Sequence, residues 1–218
     1  MDRNLSAVKG LAVVLMGVAL SAGCRSAYYN TWEKLGWAKR DLLVDRVKDA
    51  RDEQADAQEQ FKTTLERFQE VTQFEGGNLE KQYKRLNTEY ERSEAAAKDV
   101  SKQIQSVDQV ATDMFKEWEK ELADYQNADL KRQSQQQLRD TQQRYQQLIG
   151  VMRKAESSMA PVLSAFHDQV LFLKHNLNAQ AIASLQNTAV NIQNDVNRLI
   201  ADMERSIREA DEFIKQMK

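Results

Sequence analysis

The side chains with the most reactive chemistry in this chain are its single cysteine, Cys24, and its two histidines, His167 and His175. The two histidines, with Asp168 between them, are of the types that bind metal ions. Two imidazoles on one helix converge on an ion at a spacing of four residues, whereas these lie eight residues apart. Ser164, His167 and Asp168 supply the residue types of a hydrolytic triad, but their spacing provides no orienting geometry. We therefore predict neither a metal site nor a catalytic site here.

The glycine pattern argues against nucleotide hydrolysis as well. A phosphate-binding loop needs glycines followed by Lys and then Ser or Thr, and none of the seven glycines precedes that pair. The chain also lacks the G-x-S-x-G motif that presents a serine nucleophile. These features predict a protein that is not an enzyme and that needs no cofactor.

Cys24 follows a segment with the three parts of a secretory signal peptide. Arg3 and Lys9 form a basic lead, residues 10–20 are apolar, and the letters SAG supply small residues before the cysteine. The apolar part is shorter than the roughly 20 residues of a membrane-spanning helix. Residues 1–23 are therefore predicted to be a signal peptide.

The letters SAGC resemble the lipobox of bacterial lipoproteins, whose cysteine receives fatty acyl chains such as palmitate and becomes the mature N-terminus. Leucine is usual three positions before the cysteine, where this chain has Ser21, although Leu20 is adjacent. The alternative is an ordinary signal peptide with an unmodified cysteine. Lipidation is favoured because it accounts for a lone thiol, and several acyl chains anchor a protein firmly where one does not. We predict Cys24 as the lipid-attachment residue.

The residues after Cys24 bear on location and on partners. By resemblance to envelope lipoproteins in general, Arg25 in place of Asp predicts an outer-membrane protein that faces the periplasm. The chain has 31 Lys and Arg against 33 Asp and Glu side chains, well mixed, so no basic face for nucleic acid or anionic lipid is expected. A nearby aromatic group either lies at the membrane interface or fills the base of the fold; it comprises Tyr28, Tyr29, Trp32 and Trp37.

The mature chain is predicted to be helical, since it has one proline, few glycines and many Ala, Gln, Glu, Lys, Arg and Leu residues. In two segments, apolar positions alternate at spacings of three and four, which indicates narrow seams packed against other helices. Gly76, Gly77 and Asn78 separate them and predict a turn at 75–78 within a hairpin over residues 28–125. The seams are Leu43, Val47, Ala50, Gln54, Ala57, Phe61, Thr64, Phe68 and Val71, and Leu79, Tyr83, Leu86, Tyr90, Ser93, Ala97, Val100, Ile104, Val107, Ala111, Met114 and Trp118.

The second half, residues 130–218, has the same helical character with less regular spacing. Residues 127–129 either end one helix and cap the next or mark a phase shift inside one long helix. Pro161 in "ESSMAPVL" fits the first turn of a new helix and predicts a break at 158–161. A further break is predicted at 175–178, before a seam that resumes at Ile182. The predicted fold is an all-α, elongated antiparallel coiled coil or helical bundle of three or four long helices, forming a single domain over residues 24–218.

Residues 160–185 differ from the rest of the chain in composition. They carry only two charged side chains, Asp168 and Lys174, although the chain as a whole is 29% charged. Their apolar side chains exceed one seam, so more than one neighbour must bury them. The segment is either the most crowded layer of the bundle or a docking surface for a partner or a second copy. Candidate partner contacts are Phe166, Val170, Phe172, Leu173 and Leu177.

The segment PVLSAFHDQVLFLKHNLNAQAIASL, with Cys24, YYNTWEKLGW and FEGGNLEKQY, resembles an uncharacterised family of Gram-negative lipoproteins defined by domain of unknown function 2959. The resemblance covers nearly the whole mature chain. It implies lipoprotein status and a helical architecture, and it brings no activity or functional residue with it.

Two functional hypotheses follow. The first is a lipid-anchored periplasmic coiled-coil protein that acts as a non-enzymatic scaffold or tether in the cell envelope. Its partners would be the membrane, through the N-terminal lipid, and an envelope protein or a second copy. The second is a ligand-binding or sensory lipoprotein that holds a small apolar molecule between helices near Phe166, Phe172 and Trp118.

Overall fold

The computed structural model describes residues 39–74 and 76–217. The predicted signal peptide, Cys24 and the aromatic group at 28–37 lie outside the described residues. The chain forms two compact units, Met1–Asp41 and Leu42–Lys218. Of the first unit the structure describes only residues 39–41, the first turn of a helix. The second unit carries everything that follows.

Four long α-helices account for almost all of the described residues, which confirms the predicted all-α bundle. They are α1 (Lys39–Thr72), α2 (Leu79–Glu121), α3 (Ala128–His175) and α4 (Ala179–Met217). At 1.5 Å per residue these helices are roughly 50–70 Å long. None of the described helices combines the length and the hydropathy that a membrane span requires.

The predicted turn between the first two helices is confirmed. Gly77 has a φ of 120°, a conformation that side chains bearing a Cβ rarely adopt, and Asn78 caps α2 by accepting a hydrogen bond from the Lys81 amide at 2.9 Å. Because the connection is so short, α1 and α2 must run antiparallel.

Asparagine residues also cap the two later helices. The Asn127 side chain accepts hydrogen bonds from the amides of Asp129 and Leu130 at 2.9 and 3.1 Å, so the break at 127–129 separates two helices. The Asn178 side chain accepts from the Ala181 amide at 3.0 Å, and the predicted break at 175–178 is likewise confirmed.

Replacement of the α3 cap is expected to have a measurable effect. Asn127→Ala leaves two backbone donors without their side-chain acceptor and should lower the free energy of unfolding by about 1 kcal/mol. Chemical denaturation of the full chain followed by circular dichroism measures this change. Gln126→Ala, one residue earlier and outside the cap, is the matched control and should change stability by less than about 0.5 kcal/mol. Equal effects of the two substitutions would contradict a capping role.

The predicted break at 158–161 is wrong, because α3 continues through Pro161 without interruption. A proline inside a helix leaves the carbonyl four residues earlier, that of Ser157, without its amide partner. Pro161 and Ser157 both lie on the exposed side of α3, where water can satisfy that carbonyl. Met159 and Val162 on the opposite side are buried, and their packing holds the helix together across the proline.

The core follows the predicted seams, except at four half-buried positions of the α2 seam: Leu79, Tyr83, Ala97 and Trp118. All nine positions of the α1 seam are buried, from Leu43 to Val71, including Gln54 and Thr64. On α4 buried positions recur with the same spacing from Ile182 to Met217, except at Ala189, which is half-buried.

Contacts between helices define the order of the bundle. Thr64 on α1 bonds Ser93 on α2 at 2.8 Å, and Ser101 on α2 bonds Glu156 on α3 at 2.6 Å. Thr188 on α4 bonds Gln169 on α3 at 3.3 Å. The ring closes where Arg51 on α1 pairs with Asp211 on α4 at 2.8 Å. Each helix therefore packs antiparallel between two neighbours, in chain order.

The bundle consequently has two distinct ends. We call the end with the connections at 73–78 and 176–178 the distal end. The other end is the proximal end. There the bundle part of α1, residues 42–72, begins, α2 connects to α3 at 122–127, and α4 ends.

Candidate interaction surface

Most of the exposed helix surface in the described part of the chain is charged and locally neutralised. Lys and Arg pair with Asp or Glu three or four residues away on all four helices, at distances that are mostly 2.6–3.0 Å. Each such pair contributes little to stability, because water screens it on both sides. This pattern describes a solvated surface.

One face departs from that pattern. Between Glu156 and Asp195 the only charged side chains are Asp168 and Lys174. The bond between Thr188 and Gln169 places this part of α3 beside this part of α4, so the two stretches form one surface. We call the exposed residues of 157–194 the low-charge face.

The low-charge face also holds most of the exposed apolar side chains. Of the six large apolar residues that are exposed in the described part of the chain, four belong to it. Leu171, Phe172, Leu177 and Val190 are 46, 39, 42 and 66% exposed. The first three cluster at the distal end, around the turn between α3 and α4. Exposed Asp168 and Lys174 lie within four residues of this cluster, which is therefore low in charge rather than uncharged. Neighbouring exposed apolar side chains are typical of an interaction site.

The five candidate partner contacts divide between this face and the core. Phe166, Val170 and Leu173 are buried, and Phe166 packs edge-to-face against Phe68 of α1 with the ring centroids 6.1 Å apart. A partner can therefore reach only Phe172 and Leu177. One side of α3 fills the core and the other is exposed, so the crowded-layer interpretation holds for the buried side, and a docking surface on the exposed side stays a prediction.

The histidines lie at separate places on α3. His167 is exposed, with its Nδ1 atom 3.7 Å from an Asp168 oxygen and its ring 5.8 Å from that of Tyr90. His175 is the last residue of α3. Within residues 39–74 and 76–217, no group of three or more His, Cys, Asp or Glu side chains is arranged to hold a metal ion.

The three aromatic residues proposed for an apolar ligand site do not come together. Trp118 lies near the proximal end of α2, where its Nε1 atom donates to the Ser134 hydroxyl at 2.8 Å. Phe166 and Phe172 lie more than 30 residues further along α3, roughly 50 Å away along the helix axis. The antiparallel pairing of α2 with α3 causes this separation, and the ligand site predicted at these three residues is wrong.

Two ionic clusters join neighbouring helices and were not predicted. Tyr145 donates to Asp108, which also accepts from Arg153 at 2.9 Å; burial and this bond raise the pKa of the Tyr145 hydroxyl. Asp202 accepts from Lys154 and Ser158, both at 2.8 Å. Burial alone raises the pKa of Asp202, but these bonds outweigh it and hold the pKa below its usual range. Both clusters lie between helices, and their charged side chains all lie outside residues 157–194.

Some polar side chains in the core are hydrogen-bonded to each other, and others have no hydrogen-bond partner. Thr64 and Ser93 bond each other, whereas the Gln54 amide and the Ser206 hydroxyl are buried without a hydrogen-bond partner in the structure. Arg51 pairs with Asp211, and α1 and α4 run antiparallel, so Gln54 and Ser206 lie at the same level of the bundle. Buried polar atoms without partners lower stability.

The fold and this surface define the class of protein: residues 39–74 and 76–217 form an all-α, antiparallel bundle of four helices, whose main distinguishing surface is a low-charge face on two adjacent helices. Within that class, the chain belongs to the family described as protein of unknown function (DUF2959), whose family model matches residues 28–217. A search of curated proteins and a search of solved structures each gave no match. The family predicted from the sequence is thereby confirmed, and lipoprotein status stays a prediction.

Proposed function

We propose that this protein is a lipid-anchored, non-enzymatic scaffold or tether of the cell envelope, held in the outer membrane through Cys24 and facing the periplasm. The signal-peptide pattern and the lone cysteine in SAGC support the anchor. The missing phosphate-binding and nucleophile motifs support a non-enzymatic role.

The observation that carries the proposal is the exposed apolar cluster of Leu171, Phe172 and Leu177 at the distal end. Apolar side chains grouped on the surface of a protein are favourable to bury against a partner, because each Å² of apolar surface removed from water contributes about 25 cal/mol. The bundle part of α1 begins at the opposite end, so the helices place this cluster roughly 50–70 Å from that point. An envelope protein bound there would be held at that distance from the start of the bundle.

The partner site can be tested by photo-crosslinking in intact cells, with a photoreactive amino acid at position 172 or 177. We expect both positions to capture the same envelope protein. Leu130 is the matched control, since it is 51% exposed and lies at the proximal end, and it should not capture that protein. Phe172→Asp in the position-177 variant should lower the captured yield about tenfold, because 1.4 kcal/mol of lost binding is a factor of ten.

Two results would contradict the proposal. Capture of no envelope protein from either distal position, or equal capture from position 130, would exclude the distal cluster as the partner site. The anchor is tested separately by mass spectrometry of the N-terminal peptide from native membranes. An unmodified Cys24 thiol there would exclude lipid anchoring.

A further inference from the structure

The exposed side of α4 carries a second periodic pattern, distinct from its buried seam. Ala183, Asn187, Val190, Asn194 and Asn197 are all exposed and follow one another at spacings of four, three, four and three. Gln180 before them and Ala201 after them continue the same spacing and are also exposed. We call these residues the amide stripe. A seven-residue repeat on an exposed face is the geometry by which one helix packs along another.

The chemistry of the amide stripe suits a copy of itself. A carboxamide is both a donor and an acceptor, so two asparagines at the same position on paired helices can satisfy each other. Within the described part of the chain, the side-chain carboxamides of Asn187 and Asn194 make no hydrogen bond. Val190 between them is 66% exposed, the most exposed large apolar side chain of the described residues.

The charge distribution also favours a second copy of the chain as the partner of the amide stripe. A face without charges is the least costly to desolvate, and its partner must leave no charge unpaired against it. The exposed faces around the rest of the described bundle carry many Lys, Arg, Asp and Glu side chains. The amide stripe from Gln180 to Asn194 has none, so a second amide stripe would leave no charge unpaired against it.

We propose that two copies of this protein associate side by side through the amide stripe, with their α4 helices parallel and in register. Asn187, Val190 and Asn194 of one copy then face the same residues of the other. Asparagine at such core positions of a helix pair fixes register and pair number. The proposal rests on the proposed function, because chains anchored at their N-termini in one membrane share one orientation. It leaves Leu171, Phe172 and Leu177 available for the envelope partner.

Site-directed disulfide crosslinking of the full chain in membranes tests this arrangement. Asn187→Cys, Val190→Cys and Asn194→Cys are made singly and oxidised with copper phenanthroline. In a parallel, in-register pair each position faces itself, so each variant should give a dimer linked at that residue. Thr88→Cys is the matched control: it is exposed on α2, at the level of Thr188 in the bundle, and should give less than a tenth of that yield.

Two outcomes would overturn the proposal. Equal dimer yields at Thr88 and at the stripe would reflect random collision, and dimers at only one stripe position would indicate antiparallel or chance contact. As a second measurement, Asn187→Asp with Asn194→Asp places like charges opposite each other and should lower the dimer association constant at least tenfold in detergent. Circular dichroism verifies that these exposed substitutions keep the helices.

Failure of this inference is distinguishable from failure of the proposed function. Wild-type protein, with Cys24 as its only thiol, gives no disulfide dimer when that thiol is acylated. A dimer linked through Cys24 would refute lipid anchoring, and a dimer absent from all three stripe variants would refute the stripe alone.

Discussion

Replacement of Phe166 by alanine is expected to lower the free energy of unfolding by about 3–5 kcal/mol. The Phe166 side chain is fully buried and packs edge-to-face against Phe68 across the bundle. Its removal leaves a cavity between α1 and α3, whose walls lose dispersion contacts that no other side chain replaces. A loss of this size is a large part of the total stability of a domain.

Chemical denaturation of the detergent-solubilised full chain, followed by circular dichroism, measures this loss. Phe172→Ala is the matched control, because it removes the same ring from the same helix at a position that is 39% exposed. We expect it to cost less than half as much. Similar losses for the two substitutions would mean that α3 is rotated relative to the arrangement described above.

The second large effect is expected at Gln54, with the opposite sign. Its side chain is fully buried in the α1 seam and neither amide atom has a hydrogen-bond partner in the structure. Gln54→Met keeps an unbranched side chain of similar length and removes the polar atoms. We expect the free energy of unfolding to rise by about 1–3 kcal/mol, the penalty of an unsatisfied buried polar group.

Thr64→Val is the control for this prediction. It also removes a polar group from the α1 seam, but the Thr64 hydroxyl can accept from Ser93 and donate its one proton to the Gln60 or the Glu89 carbonyl. We expect it to destabilise the protein, because the Ser93 hydroxyl is left buried without that partner. If Gln54→Met destabilised the protein as much, the Gln54 amide would have to be bonded to internal water in solution.

The features that the sequence predicts correctly here are local ones. The turn at Gly77 and Asn78 depends on a backbone conformation and a cap within a few residues. The α1 seam depends on spacing within one helix. In both cases the determining residues are near neighbours in the chain, so their pattern is sufficient.

The incorrect predictions depend on contacts between helices. Pro161 favours a break locally, but packing of Met159 and Val162 overrides that preference. The bond of Tyr145 to Asp108 joins residues 37 apart, so it depends on the register between α2 and α3. Phe166 and Phe172 are equally apolar in sequence, and only the positions of α1 and α4 decide which of them is covered.

The sequence shows that residues 160–185 contain few charges, but it does not show that these residues form part of one surface with α4. Residues 160–185 stand out because they contain only two charges, yet their sequence does not reveal that α4 lies beside α3 at this height. The amide stripe was not recognised, since asparagine and alanine give no hydrophobic signal. Its spacing becomes meaningful once the buried seam of α4 identifies the side that faces water.

Packing of the helices in chain order has a consequence for how the bundle assembles. Three of its four helix pairs are joined by connections of a few residues, so bringing them together restricts the unfolded chain very little. The fourth pair, held by Arg51 and Asp211, joins segments 160 residues apart. Loop-closure entropy therefore favours formation of the three hairpins before α1 docks against α4. The contact between the first and last helices is therefore expected to form last, and its loss would open the bundle while leaving the other three helix pairs in contact.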